Sequence, residues 1–239
     1  MFKKILYFHF MVVIGCCPKI LKLFKQPLSD ELQLYLIKKC SFTIKYMKAP
    51  CSAVQWYIFN QLDINHLYYI DNVDEDLQEH LVNIDYSLIK YIKYPKEELQ
   101  IKVLEQTITN LCFINYPCFK AQELVMNIYP AFLSIISEKV RYEEIELMAV
   151  RKDGNLLCCC SFQTSKICRE AVNNTGYAYY YIKHPTQEEA LLALSNCWEK
   201  NLYHKVVEDM FNHESKIPSV WFKREFNKLK LKNGAFDNE

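Results

Sequence analysis

Apolar residues recur along this chain in adjacent pairs, and the pairs recur at a fixed interval. Gln33, Gln55, Gln78, Gln100 and Gln122 are 22, 23, 22 and 22 residues apart, and each opens an apolar helical segment. Such a period is the signature of a repeat architecture. Steps of 23 beyond Gln122 reach Ile145, Cys168 and Leu191, so the spacing outlasts the glutamine itself. Three residues into the units stand Leu36, Ile58, Leu81, Val103, Val125, Met148, Ala171 and Leu194. The next position holds Ile37, Phe59, Val82, Leu104, Met126, Ala149, Val172 and Ser195. This is the buried edge of one amphipathic helix, repeated.

A second column lies further into each unit: Ile44 and Met47, Leu67 and Ile70, Ile89 and Ile92, Leu111 and Ile114, Leu133 and Ile136, Tyr179 and Ile182. A spacing of three within each pair is helical, which predicts two short helices per unit. Leu21 and Phe24 extend the column toward the N-terminus. Pro27, Pro50, Pro95, Pro117 and Pro185 separate units, often before acids, as in "PLSDEL", "PKEEL" and "PTQEEA". Proline in a first turn and acids near the positive end of the helix dipole predict helix starts there. Helices this short hold no fold alone, so neighbours must stack to bury a common core. The expected fold class is all-α, an α-solenoid of about eight to nine two-helix repeats. Its domains are a hydrophobic and basic cap at 1–9, the repeats at 10–212 and a basic amphipathic tail at 213–239. Unit six, containing "KDGN", is the least regular and is expected to kink the array.

Composition fits this picture. Four glycines and eight prolines in 239 residues leave little material for β-turns or phosphate-cradling loops. Eleven cysteines form no CxxC pair, and their scatter reads as buried thiols in a reducing compartment. The run Cys158–Cys160 is the one cysteine feature suited to metal binding or oxidation. "MFKKILYFHFMVVIGCC" has the layout of a signal peptide or lipoprotein leader. It fits the repeat phase equally, so it is read as a first helix, with intracellular location expected and a cleaved signal or lipid anchor as the alternative. No stretch reaches the ~20 apolar residues of a membrane span.

The order Pro, acids, apolar residue, Gln, apolar pair, then "SLIKYI" and Pro resembles short helical repeats of phage, bacterial and large-virus proteins. It is also similar to the leucine-rich-repeat variant family, in which an α-helix alternates with a shorter helix. The likeness covers about residues 10 to 212 and is best at 78 to 121. It implies a scaffold that binds other macromolecules, and by origin a viral or phage accessory protein that engages a host factor.

The glutamine column is read as structural, because a repeated buried amide finds the same partner in every copy. An aromatic column, Tyr46, Tyr69, Tyr91, Phe113 and Tyr181, weighs inter-repeat packing against a partner-binding groove, since tyrosine joins an apolar body to a polar tip. Net charge is only +1, yet residues 1–50 hold nine lysines against Asp30 and Glu31. Residues 51–80 carry six acids, among them Asp74, Glu75 and Asp76, and no Lys or Arg. Adjacent blocks of opposite sign read first as a solvated face, and otherwise as patches that steer a partner of mixed charge or cap the array against water. In the tail, Trp221, Phe222, Phe226 and Leu229 at helical spacing lie among Lys223, Arg224, Lys228, Lys230 and Lys232. That is a basic amphipathic helix, read as a cap on the last repeat or a contact for a partner. His66, His80, His184 and His204 lack metal-ligand spacing, so no enzymatic activity, metal or cofactor is expected. The candidate binding residues are therefore Tyr46, Tyr69, Tyr91, Tyr181, Asp74, Glu75, Asp76, Trp221 and Arg224. The expected partner is a protein, and the alternative is nucleic acid held by the basic ends and the tyrosines.

Overall fold

The computed structural model describes residues 18–23, 28–199 and 219–232, and every regular element among them is helical. The cap at 1–9, the signal-like segment through Cys17, Phe24, Pro27, His204 and the stretch 200–212 lie outside the described residues. Two compact units divide the chain, Met1–Cys118 and Phe119–Glu239.

In the first unit the α-helices are α1 (Asp30–Lys39), α2 (Ser52–Gln61), α3 (Glu75–Ile84) and α4 (Glu97–Gln106). In the second they are α5 (Phe119–Ile128), α6 (Glu143–Lys152), α7 (Ser165–Asn174), α8 (Gln187–Glu199) and α9 (Ser219–Lys232). The third, fourth, seventh and eighth positions of α1 and of α3 to α8 are buried, as Leu77, Gln78, Leu81 and Val82 are in α3, and α2 keeps the first three of them. Burying each such aliphatic side chain contributes about 1.5–3 kcal/mol. After ten residues the backbone turns to extended geometry; Asp85, with φ −156° and ψ 125°, closes α3 by donating its N–H to Leu81 O.

Cys40, Asp85, Thr107, Asp153 and Thr175 each close an α-helix and also open the second element of the unit, and these second elements are 3-10 helices. In the first unit these are η1 (Pro18–Leu23), η2 (Ser41–Tyr46), η3 (Ile64–Tyr69), η4 (Tyr86–Tyr91) and η5 (Ile108–Phe113). The i, i+3 apolar pairs match three residues per turn, the 3-10 period, better than 3.6. Ile44, Leu67, Ile89 and Leu111, fourth in their helices, are buried, and Ile70, Ile92 and Ile114 follow as buried or nearly buried caps. Aspartates start several of these helices: Asp63 accepts from Asn65 N–H and Asp85 from Ser87 N–H. Each of η1 to η5 packs on the next, forming one layer of the first unit.

The prolines differ from expectation. Pro50 and Pro95 precede the N-cap residues Cys51 and Lys96 and so stand outside the first turn. There their fixed φ keeps the entry segment extended, and their carbonyls are free to accept. The donors are what the glutamines provide. Gln33, Gln55, Gln78 and Gln100 donate Nε2–H to the carbonyls of Leu28, Pro50, Val73 and Pro95, five residues back, at 2.7–2.9 Å. Their Oε1 atoms accept the N–H groups of Cys51, Asp74, Lys96 and Cys118, at the entry to the following helix. One amide thus ties its own entry segment to that of its neighbour, which is why the residue returns every 22 or 23 positions.

The second unit keeps the plan with η6 (Pro130–Ile135), η7 (Glu138–Val140), η8 (Gly154–Cys159) and η9 (Gly176–Tyr181). The extra turn η7 puts the start of α6 one residue later than a 23-residue step. The buried pair there is consequently Ala149 and Val150, whereas Met148 is only half-buried; in α8 the pair is Ala193 and Leu194, not Leu194 and Ser195. The glutamine position in α6 is filled by Glu146, which accepts from Ser161 N–H at 2.8 Å and Phe162 N–H at 2.7 Å. A carboxylate cannot supply the amide's donor, and Arg141 does so instead, reaching Ile136 O at 2.6 Å and Glu146 Oε1 at 3.1 Å. Asparagines add a second tie: Asn174 accepts from Gly154 N–H and donates to Arg151 O, and Asn196 does the same with Gly176 and Asn173. The close approach needs glycine, because a methyl at Gly154 would meet the Ala171 carbonyl and one at Gly176 the Cys197 sulfur.

Candidate binding face

The sixth residue of each of η2 to η5 is an aromatic: Tyr46, Tyr69, Tyr91 and Phe113. Two positions beyond the buried fourth residue, these rings lie at the margin of the core. Tyr46, Tyr91 and Phe113 are half-buried, and Tyr69 is 44% exposed. Tyr46 also packs with Met47 and Leu28 against the buried Leu21, Leu32 and Leu36, so part of the packing expectation holds for it.

Lysines lie over this line of rings. Lys22 stands 5.4 Å from the Tyr46 centroid, Lys45 4.5 Å from Tyr69, and Lys90 5.1 Å from Tyr91 and 5.9 Å from Phe113. The contacts from Lys22, Lys45 and Lys90 to Tyr46, Tyr69 and Phe113 join successive repeats. Lys45 also meets Phe42, at 5.9 Å, itself 61% exposed. Exposed cation–π contacts contribute about 0.5–1 kcal/mol each, mainly by fixing where an ammonium sits. Among the described residues, none of Lys22, Lys45 and Lys90 forms an ion pair with a carboxylate. Bonds from Ser87 hold the Asp85 carboxyl below the usual carboxylate range, and the charge of Lys90 adds a smaller push.

Beside Tyr69 opens a hollow of about 350 Å³ lined by Met47, Lys48, Ala49, Pro50, Tyr69, Asp71 and Asn72. That volume is at the lower end for small-molecule pockets and suits one bulky side chain. Ala49 shapes its rim in a left-handed conformation, φ 48°, that alanine rarely adopts. Asp71 is paired with Lys93 at 2.6 Å, which raises the Lys93 ammonium's pKa.

The acids at Asp74, Glu75 and Asp76 have structural occupations. Asp74 caps α3, accepting from Asp76 N–H at 3.3 Å, and its own N–H is held by Gln55. Glu75 pairs with Lys96 at 2.6 Å and raises the pKa of that ammonium, while Asp76 is exposed in the first turn. Tyr46, Tyr69 and Tyr91 therefore share the 3-10 layer, and the three acids belong to the helix entry.

In the second unit Tyr181 closes η9 and is 41% exposed. Trp221 and Arg224 lie on α9, which touches α8; Trp221 is half-buried, and exposed Arg224 bonds Glu225 at 3.1 Å. Cys158 and Cys159 bring their sulfurs to 3.5 Å, but burial and the neighbouring thiol push the Cys158 pKa up, which keeps it protonated. Burial likewise raises buried Cys160 strongly and pushes Cys168 up to about 11. Among the described residues no group of three or more His, Cys, Asp or Glu side chains converges as a metal site, and no helix is long and apolar enough to cross a membrane.

Sequence reasoning found the rings and missed the lysines on them. The signal was present as the dipeptides Lys45–Tyr46 and Lys90–Tyr91, but a cation reaching a ring 23 or 24 residues away shows only after stacking. No family model, no curated protein and no solved structure matches this chain.

Proposed function

We propose that the protein is a non-enzymatic interaction module of the α-solenoid type, which binds a protein partner through the 3-10 layer of its first unit. The observation that carries this reading is the line of lysines resting on Tyr46, Tyr69, Tyr91 and Phe113 beside the Tyr69 hollow. Stacked repeats present equivalent positions side by side, and anchored charges with aromatic bodies are what protein interfaces enrich. The glutamine ties support the scaffold half of the reading, since they are satisfied within the fold and leave the outer face for binding.

The test is capture of partners from lysate of the native cell, with nuclease present, by the wild type and by Tyr69→Ala combined with Phe42→Ala. The expected result is a stoichiometric protein retained by the wild type and lost from the variant at unchanged helicity. Equal retention by both proteins refutes the assigned face, and captured material that disappears with nuclease refutes a protein partner.

A further inference from the structure

Resting on that reading, we infer that the segment which docks on the 3-10 layer is an extended acidic peptide, its carboxylates meeting Lys22, Lys45 and Lys90 and one bulky apolar side chain entering the Tyr69 hollow. Among the described residues these lysines form no ion pair: rings hold them, and the Asp85 carboxylate acts on Lys90 only as a weaker electrostatic pull. Their positions are fixed before any partner arrives, so a carboxylate meeting them orders little additional side chain. The charges stand on η1, η2 and η4, with η3 carrying none, so the layer offers two neighbouring cations and a third set two repeats further on.

The same geometry disfavours a single nucleic-acid strand. Sequence-tolerant strand binding depends on bases stacking on open ring faces. Here Lys45 and Lys90 occupy positions over the faces of Tyr69 and Tyr91. Exposed Asp63 and Asp85 at the starts of η3 and η4 would also repel an unbroken line of phosphates. A peptide spaces its carboxylates and avoids them. The hollow then supplies what charge alone does not, a place for an apolar anchor against Tyr69, Met47 and Pro50.

A random dodecapeptide library displayed on phage tests this on the intact protein, with counter-selection on Lys45→Glu/Lys90→Glu, both exposed residues. A pool enriched in Asp and Glu around a bulky apolar residue is expected. Synthetic peptides from it should lose at least tenfold in affinity on Lys45→Glu/Lys90→Glu, keep it within threefold on Lys45→Arg/Lys90→Arg, and weaken as salt rises. Circular dichroism on each variant verifies the fold. A basic or neutral pool, or no enrichment, overturns the inference. So does a single-stranded oligonucleotide that binds the wild type, fails on the charge-reversed variant and displaces the peptides. If the acidic pool fails while Tyr69→Ala/Phe42→Ala still abolishes capture of the natural protein, the face stands and only its chemistry is wrong.

Discussion

Lys22, Lys45 and Lys90 of the first unit lie over aromatic rings, whereas Arg141, Arg151 and Arg169 of the second lie against Glu146, Glu170 and Glu188. Lys22, Lys45 and Lys90 reach a ring of the next repeat and Arg151 and Arg169 a carboxylate of the next, while Arg141 and Glu146 pair within one repeat; the two arrangements differ in what remains. A cation on a ring keeps its full charge toward solvent, and a cation on a carboxylate is neutralised. Cation–carboxylate pairs join copies in both units, Lys93–Asp71 and Lys96–Glu75 in the first as Arg151–Glu170 and Arg169–Glu188 in the second, but the first unit adds ring-held lysines whose charge stays turned to solvent. The internal ties differ as well: the first unit uses uncharged amides, and the second combines the Gln122 amide, which donates to Val140 O, with a buried Arg141–Glu146 pair.

The largest effect is expected at that buried pair. Arg141→Val strands a buried carboxylate and should cost about 3–5 kcal/mol in urea unfolding. Adding Glu146→Gln rebuilds the Val73 and Gln78 arrangement of α3 and should recover most of the loss; no recovery would mean that the two units are tied by unlike rules. Gln100→Leu comes next. It removes the partners of Pro95 O and Cys118 N–H, and about 2–4 kcal/mol should be lost. A loss under ~0.5 kcal/mol would show that water replaces the amide.

Gly154→Ala forces a methyl against the Ala171 carbonyl and is expected to cost about 1–3 kcal/mol, seen as a lower melting temperature. At the matching first-unit position, Ser41→Ala should change stability by no more than ~0.5 kcal/mol, because no glycine-dependent approach exists there. The smallest effect concerns the exposed pair Arg151–Glu170. The bond from Arg151 holds the Glu170 carboxyl below its ordinary value, so its contribution is present above the unfolded carboxylate value and fades as pH falls through the folded one. Solvent screening keeps it the smallest of these effects, measured as the difference between wild type and Arg151→Ala at neutral and at acidic pH.

Much of the scaffold was legible because it repeats. Gln33 through Gln100 could be read as structural from recurrence alone, and the buried columns follow from spacing. The 3-10 character of the second element was implied by pairs such as Ile89 and Ile92, three apart, yet short segments of this kind read as α or 3-10 alike. Unit six was misplaced by one residue because the turn at Glu138–Val140 lengthens the repeat without changing its apolar look. Its glutamine was missed for a different reason: Glu146 and Arg141 divide between two side chains the donor and acceptor that one amide carries elsewhere. Asp74 and Glu75 looked like a binding patch, since capping and pairing with Lys96 depend on partners that a count of charges does not reveal.

The most direct test places a photocrosslinking benzoylphenylalanine at position 42 in one protein and at position 142 in another, both exposed aromatic sites. After irradiation in native lysate with nuclease, a discrete protein adduct from position 42 and none from position 142 is the expected result. An adduct from position 142 alone, or a nucleic-acid adduct from position 42, would contradict the assignment of the first unit's 3-10 layer as the binding face.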